Sequence, residues 1–317
     1  MPNSVVIIAP ELDLHAQVVA KRIEELGGHS VILDSALFPS QWNLTVRISS
    51  DGYDEAVLEH GDLRLADQDI VGVWWRRPCW YRAASDVTEA NLRRFIALEA
   101  KQALEGWLHG LGSKVINPLR ADASAGYKLL QLQCAAEVGL TVPRTVATNS
   151  PCAAEEFSST EAAVVYKPFT GADWQFIGTQ RMTEDAKGHL DSVAHSPVLF
   201  QEEITKSLDV RANVIDDNVY AIAVRSKQPR PPVDWRLDPD PEYLEHQLPP
   251  DVERALVALL RKLGLRFGAC DLAITDRGNY VFFEVNPGGQ WLVAEIMTGQ
   301  HLSHAFALAL LEPPAPP

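Results

Sequence analysis

The chain has 317 residues, 46% of them apolar, enough for two or three packed lobes and ordinary for a globular protein. Its net charge of −14 argues against a general nucleic-acid or anionic-membrane surface. Four cysteines (Cys79, Cys134, Cys152, Cys270) form no C-x-x-C pair, which fits a reduced cytoplasm; no basic n-region precedes the first apolar run, and no window is as long and apolar as a membrane span.

In chain order, Val5–Ala9 predicts a buried strand, His15–Leu26 a helix stopped by Gly27-Gly28, and Val31–Asp34 a second strand. This β-α-β opening implies an open sheet with a crossover helix, without a G-x-G-x-x-G dinucleotide loop. Leu44–Ile48, Leu58–Leu65 and Ile70–Trp75 alternate as strands, the last running into Arg76-Arg77-Pro78. Two arginines at a strand end make a carboxylate or phosphate clamp, or a plain surface pair. A long amphipathic helix is expected from Asp86 to about Leu111, with Leu92, Phe95 and Ile96 among its core candidates, and another over Ala123–Val138. Thr148–Cys152 reads as a loop. Val164-Val165-Tyr166-Lys167 is a strand ending in a lysine, followed by a Gly-punctuated aromatic segment, Phe169–Gly178, that could lie over a ligand.

Val198–Ile204 is a strand running into a polar hinge. Leu208–Ile215 alternates, with Asp209, Arg211 and Asn213 on one face. A three-residue turn, Asp216-Asp217-Asn218, would set Arg225 opposite Asp209 and gather Asp209, Arg211 and Arg225 into a charged patch; the plainer reading is an exposed face of ion pairs. Ser226–Gln247 reads as an ordered loop around Val233-Asp234-Trp235-Arg236, and Asp251–Leu263 as an amphipathic helix ended by Gly264.

Gly268–Thr275 and the strand through Val281–Asn286 then form a hairpin across Asp276–Asn279. Pairing Thr275 with Tyr280 places Asp271 opposite Glu284, with Val281, Phe283 and Val285 on the apolar face and Glu284 and Asn286 on the other. Like charges across strands cost about 0.2–1 kcal/mol, more when buried, and a divalent cation would remove that cost. Asp271, Glu284 and Asn286 therefore read as hard-oxygen ligands for magnesium, against the alternative of a solvated acidic strand end. Pro287-Gly288-Gly289 stops the strand, Leu302–Leu311 is a last helix, and the tail from Glu312 to Pro317 is proline-rich. No G-x-S-x-G elbow or Cys–His motif supports a nucleophilic hydrolase.

The order of these pieces resembles the ATP-grasp fold over essentially the whole chain: Lys128, a Gly-Leu-x-Val-Pro-x-Thr strand, Lys167, the Gln-Glu-Glu-Ile hinge, Asp-x-Arg, Asp271 and Glu-x-Asn-Pro. Within it, Val73–Pro78, the Asp122–Thr145 block, Val165–Pro168, Val233–Arg236 and Phe283–Trp291 are similar to the ribosomal-peptide maturases, or graspetide synthetases, that include the microviridin ligases. The resemblance implies an α/β protein of α+β lobes: residues 1–118 an amino-terminal open-sheet pre-ATP-grasp domain, 119–198 a central lid domain, and 199–317 a carboxyl-terminal ATP-grasp domain with the metal site. It implies that Lys128 and Lys167 contact ATP phosphates, that Gln201, Glu202, Glu203 and Ile204 hold the adenine edge, and that Asp209 sits near the ribose. Asp271, Glu284 and Asn286 would hold Mg2+, and Arg211, Arg225 and Arg236 would face the transferring phosphoryl group and a substrate carboxylate. The implied activity is a cytoplasmic, ATP-dependent peptide macrocyclase acting on a ribosomal precursor (a leader plus an acidic core), linking Asp/Glu to Ser/Thr or Lys side chains, with an isologous homodimer as the default assembly. The alternatives are a ligase joining a free amino acid to a peptide or small acid, and a non-catalytic ATP-binding regulator. Two stretches depart from the resemblance: the short loop with Gly171-Ala172-Asp173-Trp174, and Leu292-Val293-Ala294-Glu295, which is poorer in aromatics.

Overall fold

Val5, Val6, Ile7 and Ile8 offer no polar face, so they suit a strand covered on both sides. In the computed structural model, which describes residues 3–170, 177–229 and 231–314, Ser4–Ile8 is fully buried inside a four-stranded parallel sheet. The order is His29–Leu33, Ser4–Ile8, Ile70–Trp75, Val115–Ile116. The first crossover helix, Leu14–Glu25, starts where the Asp13 carboxylate accepts from the Ala16 N–H at 2.9 Å. A small antiparallel sheet, Asn43–Ser49, Gly52–His60 and Leu63–Ala66, replaces the two strands expected there, because a turn divides Leu58–Leu65. The long helix spans Ala90–Gly110, and Leu92 and Phe95 lie exposed on it instead of in the core.

The helix expected over Ala123–Val138 is broken at Gly126-Tyr127 into Leu119–Ala125 and Lys128–Glu137, so Lys128 opens a helix instead of sitting within one. An antiparallel sheet follows, ordered Gln180–Arg181, Val164–Lys167, Val198–Glu202, Thr145–Thr148. Its helix Pro151–Thr160 begins within the stretch read as a loop, with Pro151 in the first turn and Ser150 capping the Ala153 N–H. The Gly171-Ala172-Asp173-Trp174 loop and Phe176 lie outside the described residues, as do the last three of the proline-rich tail.

The carboxyl-terminal sheet is antiparallel, ordered Glu242–His246, Asn218–Arg225, Lys206–Ile215, Phe267–Thr275, Tyr280–Asn286. Glu242–His246 lies inside the stretch read as a loop and adds the edge strand. One face of this sheet packs on helix Pro250–Leu263 through Leu256, Leu259, Leu260 and Leu263. Each such leucine contributes about 1.5–3 kcal/mol on burial. The other face meets the amino-terminal sheet through helix Leu302–Leu311, whose Phe306 ring lies 4.6 Å from Trp74 and 4.8 Å from Phe267. One apolar core therefore joins the two sheets and fixes the amino-terminal strand ends against the hairpin that ends at Asn286.

Two register details matter for the site. Ile215 pairs with Asn218, so the turn has two residues, not three, and Asp209 pairs with Val224. Arg225 consequently projects from the opposite face, is exposed, and meets Glu242 at 3.1 Å, which corrects its placement beside Asp209. In the second hairpin Tyr280 pairs with Ile274, not Thr275, but a bulge beside Leu272 absorbs one residue and Asp271 still pairs with Glu284. The bulge turns Phe282 and Val285 into the core and leaves Phe283 with Glu284 on the open side, the reverse of the expected Phe283 facing.

Candidate active site

Cross-strand pairing puts Arg211 opposite Asp271 and Asp271 opposite Glu284. Across three adjacent strands the row reads cation, anion, anion. Arg211 Nη1 donates to Asp271 Oδ1 at 2.9 Å, and Lys128 Nζ donates to Glu284 Oε2 at 2.6 Å. Lys167 Nζ lies 3.6 Å from the same Glu284 oxygen. Each carboxylate thus has its own cation, and protein side chains relieve the repulsion anticipated from the sequence. Burial pushes the Glu284 carboxyl up, but Lys167 and then Lys128 outweigh it and hold it at about 2, while burial pulls the Lys167 ammonium down.

The sign of the pH effect follows. Glu284 has a folded pKa below its unfolded value, so its contribution is complete above about 4.5 and is lost as pH falls towards about 2. Thermal melts of Glu284→Gln should show a flatter fall in Tm across that window than the parent protein; identical slopes would contradict it.

Arg211 is 6% exposed and lies beneath the site, not in it: its second guanidinium nitrogen donates to the Gln290 carbonyl at 3.3 Å. Gly289 is required here, since a Cβ would sit 2.4 Å from the Ala269 Cβ and 2.6 Å from Arg211 Nη2. Arg236 is reached from the other side, where Asp234 accepts from it at 2.8 and 2.9 Å and aims the guanidinium so that Nη2 is 3.9 Å from Glu284 Oε1. Asp234 and neighbouring carboxylates raise the Arg236 pKa despite burial.

The hinge side chains face protein partners. Gln201 Nε2 donates to the Thr145 hydroxyl at 3.0 Å, Glu202 accepts from the Arg144 N–H at 2.9 Å, and Glu203 accepts from Arg181 Nε at 2.7 Å. The Glu202 and Glu203 N–H groups donate to the Arg144 and Ala163 carbonyls, so an adenine edge would be met by carbonyls or the Ile204 N–H. Asp209 is paired with Lys206 Nζ at 2.5 Å, and burial lifts its carboxyl to about 6 in spite of that lysine. Lys206, the first residue of the strand Lys206–Ile215, also donates to the Val233 carbonyl at 2.7 Å, joining that strand to the Val233–Arg236 segment. Sequence reasoning missed Lys206 and Asp234; Lys206 lies three residues before Asp209, and Asp234 sits inside the Asp-Trp-Arg piece already singled out.

These groups surround one cleft of about 740 Å³. Lys128, Lys167, Gln201, Glu202, Glu203, Ile204, Asp209, Arg236, Asp271, Glu284 and Asn286 all contribute to its wall, with Arg77 at the amino-terminal edge. Arg211 and Arg225 do not. Arg225→Ala should therefore leave stability within about 0.5 kcal/mol, as for an exposed ion pair, and any turnover of the protein unaltered; denaturant unfolding and a rate assay check this. The wall carries six cationic and six anionic residues among those described, so it has no net charge of its own. The donor set fits magnesium: two carboxylates and an amide oxygen, leaving positions for phosphate oxygens and water. A third carboxylate, cysteine or histidine does not join them, since no group of three such residues in metal-holding geometry occurs among the described residues.

Residues 4–123 match the family model of the MvdD pre-ATP grasp domain. A search of the curated proteins returned no significant match. Among solved structures, the RiPP-associated ATP-grasp ligase of Chryseobacterium gregarium, in complex with ADP and a leader and core peptide, is similar at 25% identity and a TM-score of 0.88, over 97% of this chain and 96% of that one. The macrocyclase MdnB of Microcystis aeruginosa MRC is similar at 29% identity and TM-score 0.79, over 98% and 100% of the two chains. The ATP-grasp ligase PsnB, complexed with a minimal precursor, Mg and ADP, is similar at 25% identity and TM-score 0.76, over 98% and 96%. The sheets, the cleft between them and these full-length likenesses together identify the chain as an ATP-grasp ligase, one that opens with a match to the MvdD pre-ATP grasp domain and is similar over its length to RiPP-associated ligases and macrocyclases.

Proposed function

We propose that the protein is an ATP-dependent peptide macrocyclase that phosphorylates Asp or Glu side chains of a ribosomal precursor and links them to Ser/Thr hydroxyls or a Lys amine of the same peptide. The observation that carries this is the convergence of Lys128, Lys167 and Arg236 on Glu284, beside Asp271 and Asn286, in one nucleotide-sized cleft. The complexes of the similar ligases with ADP, Mg and precursor peptides support the choice of nucleotide, metal and substrate class.

A carboxylate is a poor electrophile at neutral pH, so its oxygen must first become part of a better leaving group. Attack of the carboxylate on the terminal phosphorus of ATP gives an acyl phosphate and ADP. The hydroxyl or amine then adds to the acyl carbon, phosphate leaves, and the nucleophile's proton is released. Net, each linkage removes one water from the peptide and converts one ATP to ADP and phosphate. Bound magnesium would supply charge neutralisation for the phosphates, which is most of what phosphoryl transfer asks of a protein. Lys128 and Lys167 would exchange Glu284 for phosphate oxygens as compact cations, freeing that carboxylate to act as a ligand. Arg236, aimed by Asp234, would hold the substrate carboxylate in line, and Asp209 would meet the ribose. Arg211 would act through Asp271, which it orients. Because the cleft wall is charge-balanced, an acidic core would gain little attraction from it until the metal is in place.

The test is the mass of a candidate precursor, with leader and acidic core, after incubation with the protein, ATP and magnesium. Loss of one water mass per linkage supports macrocyclisation. Gain of an amino-acid mass would move the assignment to an intermolecular ligase, and an unchanged mass with folded, ATP-bound protein would contradict both.

A further inference from the structure

We propose that His15, Arg76 and Asn117, which lie on or just after elements of the amino-terminal sheet and its crossover helix, are positioning residues that hold the backbone after Asn286 and thereby set the metal-ligand end of its strand. The inference rests on the magnesium reading above and extends it to residues that touch neither metal nor nucleotide.

Three side chains grip five backbone groups in the stretch that follows Asn286. Asn117 Nδ2 donates to the Pro287 carbonyl at 3.1 Å. Arg76 Nη1 donates to the Gly288 carbonyl at 2.5 Å and the Gly289 carbonyl at 3.2 Å. His15 Nε2 accepts from the Trp291 and Leu292 N–H groups at 3.1 and 3.2 Å. Asn117 is also tied to the neighbouring strand, with its Oδ1 accepting from the Arg266 and Phe267 N–H groups at 2.9 and 2.8 Å. The link to the ligand is direct: the Gly288 N–H donates to Asn286 Oδ1 at 3.0 Å. The peptide that orients the Asn286 oxygen is thus flanked by carbonyls that Asn117 and Arg76 hold.

Packing alone does not explain Arg76. Its residue is 3% exposed, yet its hydrogen-bonding acceptors are neutral carbonyls. Its Nε lies 3.6 Å from Asp13 Oδ1, and neither Nε nor Nη2 has a hydrogen-bond partner among the described residues. The Trp74 ring, 5.5 Å from the guanidinium carbon, adds a cation–π contact. A buried cation so incompletely satisfied costs stability, and an apolar side chain of similar volume would serve a purely structural role better. What an apolar residue cannot do is hold two consecutive carbonyls in fixed directions. His15 fits the same picture: burial and then Arg76 lower its pKa to about 4, so the ring is neutral at working pH and can accept two N–H groups at one nitrogen. Partners of this kind, one step removed from the ligands, govern metal affinity.

The test is calorimetric titration of the full chain with ADP, once with magnesium and once with a chelator, read as the ratio of the two affinities. Arg76→Met and His15→Leu should lower that ratio about 10-fold or more, with chelated-ADP affinity within about twofold of the parent, as for loss of an outer partner of a metal site. His15→Gln, which keeps an acceptor, should restore most of it, a rescue that a merely structural role would not give. Folded variants with an unaltered ratio overturn the positioning role and leave the metal reading intact. If Arg76→Met does not fold, the His15→Leu and His15→Gln pair decides in the same way. A parent protein whose ADP affinity ignores magnesium, matched by Glu284→Gln, overturns the metal reading itself and the positioning role with it.

Discussion

Replacing Lys167 by methionine should lower turnover by about 10²–10³-fold while the fold stays intact, the scale seen when one preorganised donor is removed from a site of developing charge. Methionine keeps most of the stem volume and removes only the ammonium. Lys128 still pairs with Glu284 at 2.6 Å, so the carboxylate is not left alone in the cleft. Lys167 ends its strand with a side chain that is 12% exposed, and burial already lowers its pKa. A cation in such surroundings gains from a phosphate oxygen what it lacks from water. Lys167→Arg should not rescue the rate, because a planar fork does not replace a compact charge against one phosphate. ADP release in the presence of peptide, with circular dichroism as the control for folding, measures this. A rate within about twofold of the parent, far below what such a donor contributes, would remove Lys167 from the phosphate site.

Arg211→Met should destabilise the protein by about 3–5 kcal/mol in denaturant unfolding, because it leaves Asp271 buried without its cation. Both partners of the pair are at most one-tenth exposed. The double variant Arg211→Met/Asp271→Asn should recover most of that loss, since the amide carries no charge to strand. Recovery of stability should not bring recovery of magnesium-linked ADP binding, because Asp271 has then ceased to be a hard anionic ligand. The two readouts separate what Arg211 does for the fold from what Asp271 does for the site. If the single variant loses less than about 1 kcal/mol, the pair is more solvated than its burial implies.

Much of this was legible in the sequence because strand periodicity leaves little freedom once a hairpin is recognised. Asp271 opposite Glu284 followed from the hairpin and holds in the structure, although through a different register and a bulge. The bulge itself was invisible: it depends on how Phe282 and Val285 pack against the helix beneath them, which is tertiary information. Arg225 was misplaced by a single residue of turn length, and a one-residue slip moves a side chain to the other face. The helices Pro151–Thr160 and Leu292–Thr298 escaped notice for different reasons. The first opens on a proline that also reads as a turn, and the second is short and follows Pro287-Gly288-Gly289. The counter-ions were the larger surprise. The resemblance assigns Arg211, Lys128 and Lys167 to a ligand, yet here they meet Asp271 and Glu284, far along the chain from any of them. Periodicity cannot reveal such a partnership. The departures after Lys167 stand as sequence observations, since residues 171–176 lie outside those described.

The most direct measurement follows one oxygen atom. A precursor whose Asp and Glu side chains carry heavy oxygen should, on cyclisation with ATP and magnesium, yield inorganic phosphate bearing one heavy atom per linkage formed. Phosphate free of label, with the rings still closed, would mean the carboxylate was never phosphorylated and would contradict activation by this cleft.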